Sequence, residues 1–241
     1  MRILVTNDDG IDSPYLAYLA QAALELGEVM VVAPMKQCSA MSQKITLDRR
    51  IVLERVRDYP VMGAEAFRID GSPADCVRIV CRGAFGAQKI PDLVLSGVND
   101  GANCGYDTLY SATVGAAMEA AIWPVPAICF SQKRGESDAV MKEQLAPILR
   151  ELAGKDPGRG KVWNVNFPAC PAESCRGILY DRKPAQSLLY HDRYHMEEKK
   201  EDVYDVILEA EEYTHAEEGS DIRALLDGYI SVGLLQNRAM L

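Results

Sequence analysis

Two adjacent aspartates, Asp8 and Asp9, stand between Asn7 and Gly10, directly after the apolar run Ile3-Leu4-Val5. Neighbouring carboxylates at the end of a strand suit a hard divalent cation, which prefers oxygen ligands, although Asn and Asp also favour ordinary turns. Further oxygen donors follow at a distance. Ser39 and Ser42 lie in the stretch from Met35 to Ser42, and Asn99 and Asn103 lie in Gly97-Val-Asn-Asp-Gly101-Ala-Asn-Cys-Gly105. Glycine recurs there every fourth residue, which permits tight turns and lets backbone N–H groups approach an anion closely. Ser111 and Thr113 then introduce an alanine- and glycine-rich helix from about Ala112 to Ile122, whose N-terminal dipole favours negative charge. As a set, Asp8 and Asp9 would supply most of the charge of a cation site, with Ser39 and Asn99 completing its shell. The cation could hold a phosphate ester and lower the pKa of an attacking water. Gly101, Asn103, Ser111 and Thr113 could orient the phosphate oxygens.

Such a site favours electrostatic positioning of phosphoryl transfer over covalent serine catalysis. The chain has no Gly-x-Ser-x-Gly elbow. Asp8-Asp9 does not match the alternating Asp-x-Asp loop of haloacid-dehalogenase-like phosphatases. Neither Gly-x-Gly-x-x-Gly nor a Walker A loop is present, which removes the best support for dinucleotide and P-loop readings.

Groups so far apart in sequence need a scaffold that returns the chain repeatedly to one rim. Ile3-Leu4-Val5 reads as a strand buried on both faces. Ser13-Pro14 can start a helix carrying Leu16, Leu19, Ala20 and Ala23, with Gly27 as its stop. Val29 to Ala33 is the next buried strand, which makes a right-handed parallel βαβ unit. Asp92 to Ser96, Pro126 to Ser131 and Val162 to Pro168 are further strands. Ser72-Pro73 opens one helix and Met141 to Leu152 forms another. The expected fold class is α/β: a Rossmann-like, mostly parallel sheet flanked by helices, with a β-rich insertion near 45–70 and a C-terminal oligomerisation extension. Ligands of such sheets bind beyond the carboxyl ends of the strands, where Asp8 and Asp9 fall. Asn164 and Asn166 share one strand face at period two.

Composition limits the function classes. The 241 residues, 48% hydrophobic, can bury a large core. A net charge of −9 disfavours a broad nucleic-acid surface, which needs clustered Lys and Arg. It leaves room for a small anionic substrate, since a bound cation reverses the local field. No apolar run reaches membrane-spanning length, and the opening Met1-Arg2-Ile3 lacks a signal-peptide pattern. Seven cysteines without CxxC pairs read as reduced thiols, so a cytoplasmic location is expected.

Composition changes beyond Cys170. Ile178 to Asp181 and Tyr204 to Glu209 can form edge or hairpin strands around a charged middle segment. His191 and His195 have helical spacing but lack the zincin glutamate pattern, and with His215 they are assigned surface or interface roles. Ser220-Asp221 can cap a helix from Ile222 to Asp227, ended by Gly228 before Tyr229 to Val232. The expected organisation is a core over 1–170, an extension with a hairpin over 171–219, and a helix and strand over 220–241 that pack back on the core.

Several of these pieces occur together and in order. They are Asn7-Asp8-Asp9-Gly10, Val32-Ala33-Pro34 followed by Ser39 and Ser42, and Ser96-Gly97-Val98-Asn99-Asp100-Gly101-Ala102-Asn103-Cys104-Gly105. Tyr110-Ser111-Ala112-Thr113-Val114, Asn164-Val165-Asn166-Phe167-Pro168 and Gly228-Tyr229-Ile230-Ser231-Val232 continue the set. The chain therefore closely resembles the stationary-phase survival protein SurE family of nucleoside monophosphate phosphatases. The resemblance implies a 5′-nucleotidase that removes phosphate from nucleoside 5′- or 3′-monophosphates, sometimes acting on short polyphosphate. It implies one divalent cation per subunit, Mg²⁺ or Mn²⁺, on Asp8, Asp9, Ser39 and Asn99, with Asp8, Asp9 and Asn99 carrying the reaction. It also places Asn7, Gly10, Ser42, Gly97, Asn103, Ser111 and Thr113 around the metal or phosphate, and implies a homodimer, sometimes paired into a tetramer. Ala40 and Ala112 stand where the family has small glycines, Ser187 to Lys200 departs from its usual oligomerisation arm, and Gly233-Leu234 replaces its common Thr-Pro. A non-catalytic metal-dependent nucleotide binder and a broad phosphatase or exopolyphosphatase are the alternatives.

Overall fold

Ile3, Leu4 and Val5 lie at the middle of a sheet in the computed structural model, which describes residues 1–212 and 215–240. Tyr213, Thr214 and Leu241, within the two expected C-terminal segments, fall outside the described residues. The elements in order are β1 (Arg2–Thr6), α1 (Pro14–Ala23), β2 (Glu28–Pro34), β3 (Leu53–Arg55), β4 (Glu65–Ile69), α2 (Pro73–Cys81), β5 (Leu93–Asp100) and α3 (Ala112–Ile122). They continue with β6 (Ala127–Gln132), α4 (Ala139–Ala153), β7 (Lys161–Phe167), β8 (Ile178–Arg182), β9 (Tyr190–Lys200), β10 (Val203–Glu212), α5 (Asp221–Leu226) and β11 (Ile230–Gln236). Among the described residues the main sheet runs β3-β4-β2-β1-β5-β6-β7-β11-β8. The six strands from β4 to β7 in that order are parallel. β3 joins one edge antiparallel, and β11 runs antiparallel to β7 with β8 parallel to β11 beyond it. The fold is thus the expected α/β class with a mostly parallel, helix-flanked sheet.

Period-two alternation explains the layers. Ile3 and Val5 pack on one side with Leu16 and Leu19 of α1 and Met141, Leu145 and Leu149 of α4. Leu4 points the other way, into a cluster with Val77 and Val80 of α2 and Val114, Ala116 and Ala120 of α3. α2 begins with a capping box, in which Ser72 Oγ accepts from Asp75 N and the Asp75 carboxylate accepts from Ser72 N. A third, smaller cluster joins Ala102 and Cys104 to Leu189, Ile222 and Leu225, so the C-terminal part is packed against the glycine-rich stretch.

Several boundaries differ from local pattern. α1 ends at Ala23, short of Gly27. β5 continues through Gly97 to Asp100, because Asn99 and Asp100 pair with Ser131 and Gln132 of β6, so the glycine-rich stretch is partly strand. The β insertion contributes β4 to the main sheet, parallel to β2, with β3 as its edge. His191 and His195 lie on a strand, where the same spacing also puts them on one face. β9 and β10 form a separate antiparallel hairpin. Its one face carries Tyr194, Met196, Tyr204, Val206 and Leu208, all exposed. Its other face is charged, with His195 3.7 Å from Glu197 and 3.9 Å from Glu209.

Candidate metal and phosphate site

β1 delivers Asn7, Asp8 and Asp9 to the carboxyl rim of the sheet, between the ends of β2 and β5. Asn7 shapes the turn that follows: its Nδ2 donates to Gly10 O at 3.0 Å, and Gly10 N donates back to Asn7 Oδ1 at 3.2 Å. Asp8 is 4% exposed, and Thr113 Oγ1 donates to its Oδ1 at 2.6 Å. The neighbouring loops are tied to the same two aspartates. Cys38 N donates to Asp8 O at 2.7 Å, which puts Ser39 next to that contact. Asp100 N donates to Asp9 Oδ2 at 3.1 Å, which puts Asn99 next to that one. Asn99 Nδ2 donates to Gly101 O at 2.7 Å, so its oxygen is the atom it can offer a cation. Gly97 lies where a Cβ would stand 2.3 Å from Phe130 O, so only glycine lets β5 pass β6 there.

Electrostatics point the same way. Burial raises the Asp8 carboxyl to about 6, against the opposing hydrogen bond from Thr113, and Asp9 adds to the rise. Burial also pushes Asp9 up, against the hydrogen bond from Asp100 N; the Asp100 carboxylate adds to the rise, and Arg134, which pairs with Asp100 at 3.3 Å, opposes it. Burying carboxylates side by side is unfavourable unless positive charge joins them. The donor set of two carboxylates, a hydroxyl and a side-chain amide is all oxygen, as a hard cation requires. Among the described residues no group of three or more His, Cys, Asp or Glu side chains is placed to hold a metal ion, so a cation at the rim would need the Ser39 hydroxyl and the Asn99 amide oxygen beside the two carboxylates. The residues at the rim therefore fit a hard divalent cation.

The remaining sequence candidates divide into two groups. Thr113 reaches Asp8 directly, and Gly10 and Gly101 are held at the rim, Gly101 N donating to Gln132 O at 2.8 Å. Asn103 is gripped by the neighbouring strands. Its N donates to Asn166 Oδ1, its Nδ2 to Ser131 Oγ, and its carbonyl accepts from Asn164 Nδ2 and Asn166 Nδ2. That is the role of the face shared by Asn164 and Asn166. Ser42 Oγ donates to Leu109 O at 2.8 Å, and Ser111 Oγ accepts from Val114 N as the cap of α3. Both serines line a cavity of about 580 Å³ with Tyr106, Leu109 and Met118. A second cavity of about 350 Å³, lined by Met35, Cys38, Met41, Lys44 and Arg49, lies beyond the Ser39 loop. Sequence reading missed Arg134 and Asp107. Arg134 follows the carboxyl end of β6, a position the rim rule could have flagged. Asp107 accepts from Leu189 N at 2.7 Å and Tyr190 N at 3.4 Å, anchoring the base of the hairpin, and no local pattern announces that role.

Residues 3–188 match the family described as Survival protein SurE. The chain belongs to the SurE family. It is 39% identical over 250 residues to the 5′-nucleotidase SurE of Chloroflexus aggregans, covering 98% of this chain and 93% of that protein. It is 35% identical over 242 residues to the 5′-nucleotidase SurE of Neisseria gonorrhoeae, covering 98% and 92%. The crystal structure of the SurE protein from Aquifex aeolicus matches with a TM-score of 0.80 at 33% identity, over 97% of this chain and 92% of that one. At the two positions where the SurE resemblance expects glycine, the consequences differ. Ala112 is the first residue of α3 and fully buried, an ordinary helical setting for alanine. Ala40 takes a φ of +55°, in the left-handed region that glycine adopts more readily.

Proposed function

We propose that this chain is a divalent-cation-dependent phosphomonoesterase that removes phosphate from nucleoside 5′- and 3′-monophosphates by direct attack of water. Two carboxylates, a serine loop and an asparagine at a strand end meet at one rim, in a chain whose relatives are named 5′-nucleotidases. That convergence carries the reading. Asp8, Asp9, Ser39 and Asn99 would hold the cation. When bound, it supplies charge neutralisation on the phosphate and a lowered pKa for the attacking water. Thr113 fixes the Asp8 carboxylate through its hydroxyl, and Asn7 with Gly10 fixes the turn that presents both aspartates. Gly97, Gly101 and Asn103 shape the wall beside Asn99, while Ser42, Ser111 and the N-terminus of α3 face the phosphate. In the reaction the water oxygen bonds to phosphorus, the ester P–O bond breaks, and the nucleoside leaves with a proton on its oxygen.

The deciding experiment is phosphate release from a panel of 5′- and 3′-nucleoside monophosphates with Mg²⁺ or Mn²⁺. Release suppressed by chelation supports the reading. Tight monophosphate binding by calorimetry without release under any metal selects a binding protein instead. Equal turnover of p-nitrophenyl phosphate or short polyphosphates selects a broad phosphatase.

The same reading includes self-association. The hairpin of β9 and β10 presents an exposed apolar face of Tyr194, Met196, Tyr204, Val206 and Leu208. An isolated two-stranded ribbon needs a surface to cover such a face. A neighbouring copy would cover it, giving a homodimer that is able to pair into a tetramer.

A further inference from the structure

Ser39 lies in a stretch without helix or strand between β2 and β3, yet that stretch is tied down at closely spaced points. Cys38 N donates to Asp8 O at 2.7 Å and Ser42 N to Tyr110 O at 2.9 Å. Gln43 Nε2 donates to Glu119 Oε2 at 2.7 Å. Lys44 O accepts from Ser72 Oγ. Thr46 gives Asp75 two bonds, from N to Oδ1 at 2.9 Å and from Oγ1 to Oδ2 at 2.7 Å. Glu119 and Asp75 are each 2% exposed and come from different helices.

Both carboxylates are immobilised before they meet the loop. Glu119 Oε1 accepts from Arg78 Nη1 at 2.9 Å and Trp123 Nε1 at 3.0 Å, which leaves Oε2 for Gln43. Asp75 Oδ2 also accepts from Ser72 N in the capping box of α2. Satisfied buried carboxylates of this kind are rigid anchors. Between Cys38 and Gln43 the chain is strained: Ala40 and Ser42 have φ of +55° and +50°. Such conformations persist only where the surroundings over-determine them. The loop also sits hard against α3, since a Cβ on Gly115 would stand 2.2 Å from Ser42 O.

We infer that Gln43 and Thr46 are positioning residues, which clamp this loop to Glu119 and Asp75 so that Ser39 is held beside Asp8. The inference rests on the proposal that Ser39 is a cation ligand. Without the tethers the two left-handed residues relax and Ser39 moves away from the rim.

Gln43→Met removes the bond to Glu119, and Thr46→Val removes the hydroxyl bond to Asp75 while keeping the one from its backbone N; both leave the buried carboxylates with their helix partners. In the metal-free full-length chain, both substitutions should speed amide hydrogen exchange at Cys38 and Ser42. Each should also weaken Mn²⁺ binding, measured by calorimetry, by about tenfold, the lower range for residues that orient metal ligands. In a Ser39→Ala background neither should weaken Mn²⁺ binding further. Unchanged exchange overturns the clamp. Faster exchange with unchanged Mn²⁺ affinity, or an undiminished loss in the Ser39→Ala background, overturns the positioning of Ser39. A parent chain that binds no Mn²⁺ removes the cation reading itself, while the exchange rates still decide the clamp.

Discussion

Thr113 and Asp8, 105 positions apart in the chain, meet in a 2.6 Å hydrogen bond under the rim of the sheet. Both are buried, and the bond ties the N-terminus of α3 to the end of β1. Thr113→Val keeps the shape and deletes the donor. It should lower stability by about 1–3 kcal/mol, the range for a buried polar group left without its partner. Thr113→Ser should restore most of that loss. Urea unfolding of the three proteins checks it.

Asp8 also sets a pH dependence. Its carboxyl holds a proton more tightly when folded, at about 6, than its ordinary value of 3.8. Folding of the metal-free chain is therefore favoured by protonation of this group. The contribution is fully present below about pH 4 and is lost as pH rises through about 6. Chelated protein should lose about 3 kcal/mol of stability over that window from this group. Asp8→Asn should flatten the slope, as denaturant midpoints from pH 4 to 7 will register.

Asp9 faces the rim with less burial than Asp8 and with Asp100 N on one oxygen. Asp9→Asn removes one ligand charge with little change of shape. Mn²⁺ affinity and phosphate release should both fall by about tenfold or more. Full turnover together with full metal affinity would show that Asp9 is misassigned.

Ala40 offers a test of local strain. Its φ of +55° costs an L residue about 1–2 kcal/mol, whereas glycine adopts that region freely. Glycine also makes the unfolded chain more flexible, which offsets about 0.4–1 kcal/mol. Ala40→Gly should leave a net gain of up to about 1.5 kcal/mol, read from urea unfolding. A loss of stability would mean that the alanine methyl makes a compensating contact.

Assembly should depend on the apolar face of the hairpin. Light scattering at micromolar concentration should give at least twice the 26.5 kDa chain mass. Tyr194→Lys with Val206→Lys places charge at two exposed positions of that face and should shift the protein to monomer, with far-UV circular dichroism unchanged. The substitutions spare Leu189 and Tyr190, whose backbone is anchored on Asp107. A parent chain that stays monomeric removes the assembly proposal, and an unchanged dimer removes only the hairpin as its cause.

The sequence by itself determined the pieces that depend on near neighbours. Apolar runs marked β1, β2, β5, β6 and β7, since a strand buried on both faces must be continuously apolar. Ser72, Ser111 and Ser220 marked helix starts, because a cap bonds only two or three residues ahead. Paired aspartates after a buried strand marked the rim. Tertiary structure decided what depends on distant partners. Gly97 to Asp100 became strand because β6 offered pairing. β11 entered the sheet between β7 and β8, and the β insertion placed β4 beside β2. Asn103 was turned toward Asn164 and Asn166, and Glu119 and Asp75 were turned onto the Ser39 loop. Alternation along a strand says which side chains share a face, but which element covers that face follows from long-range pairing. For the same reason the sequence marked the oxygen donors, and only the fold brought their loops to one rim.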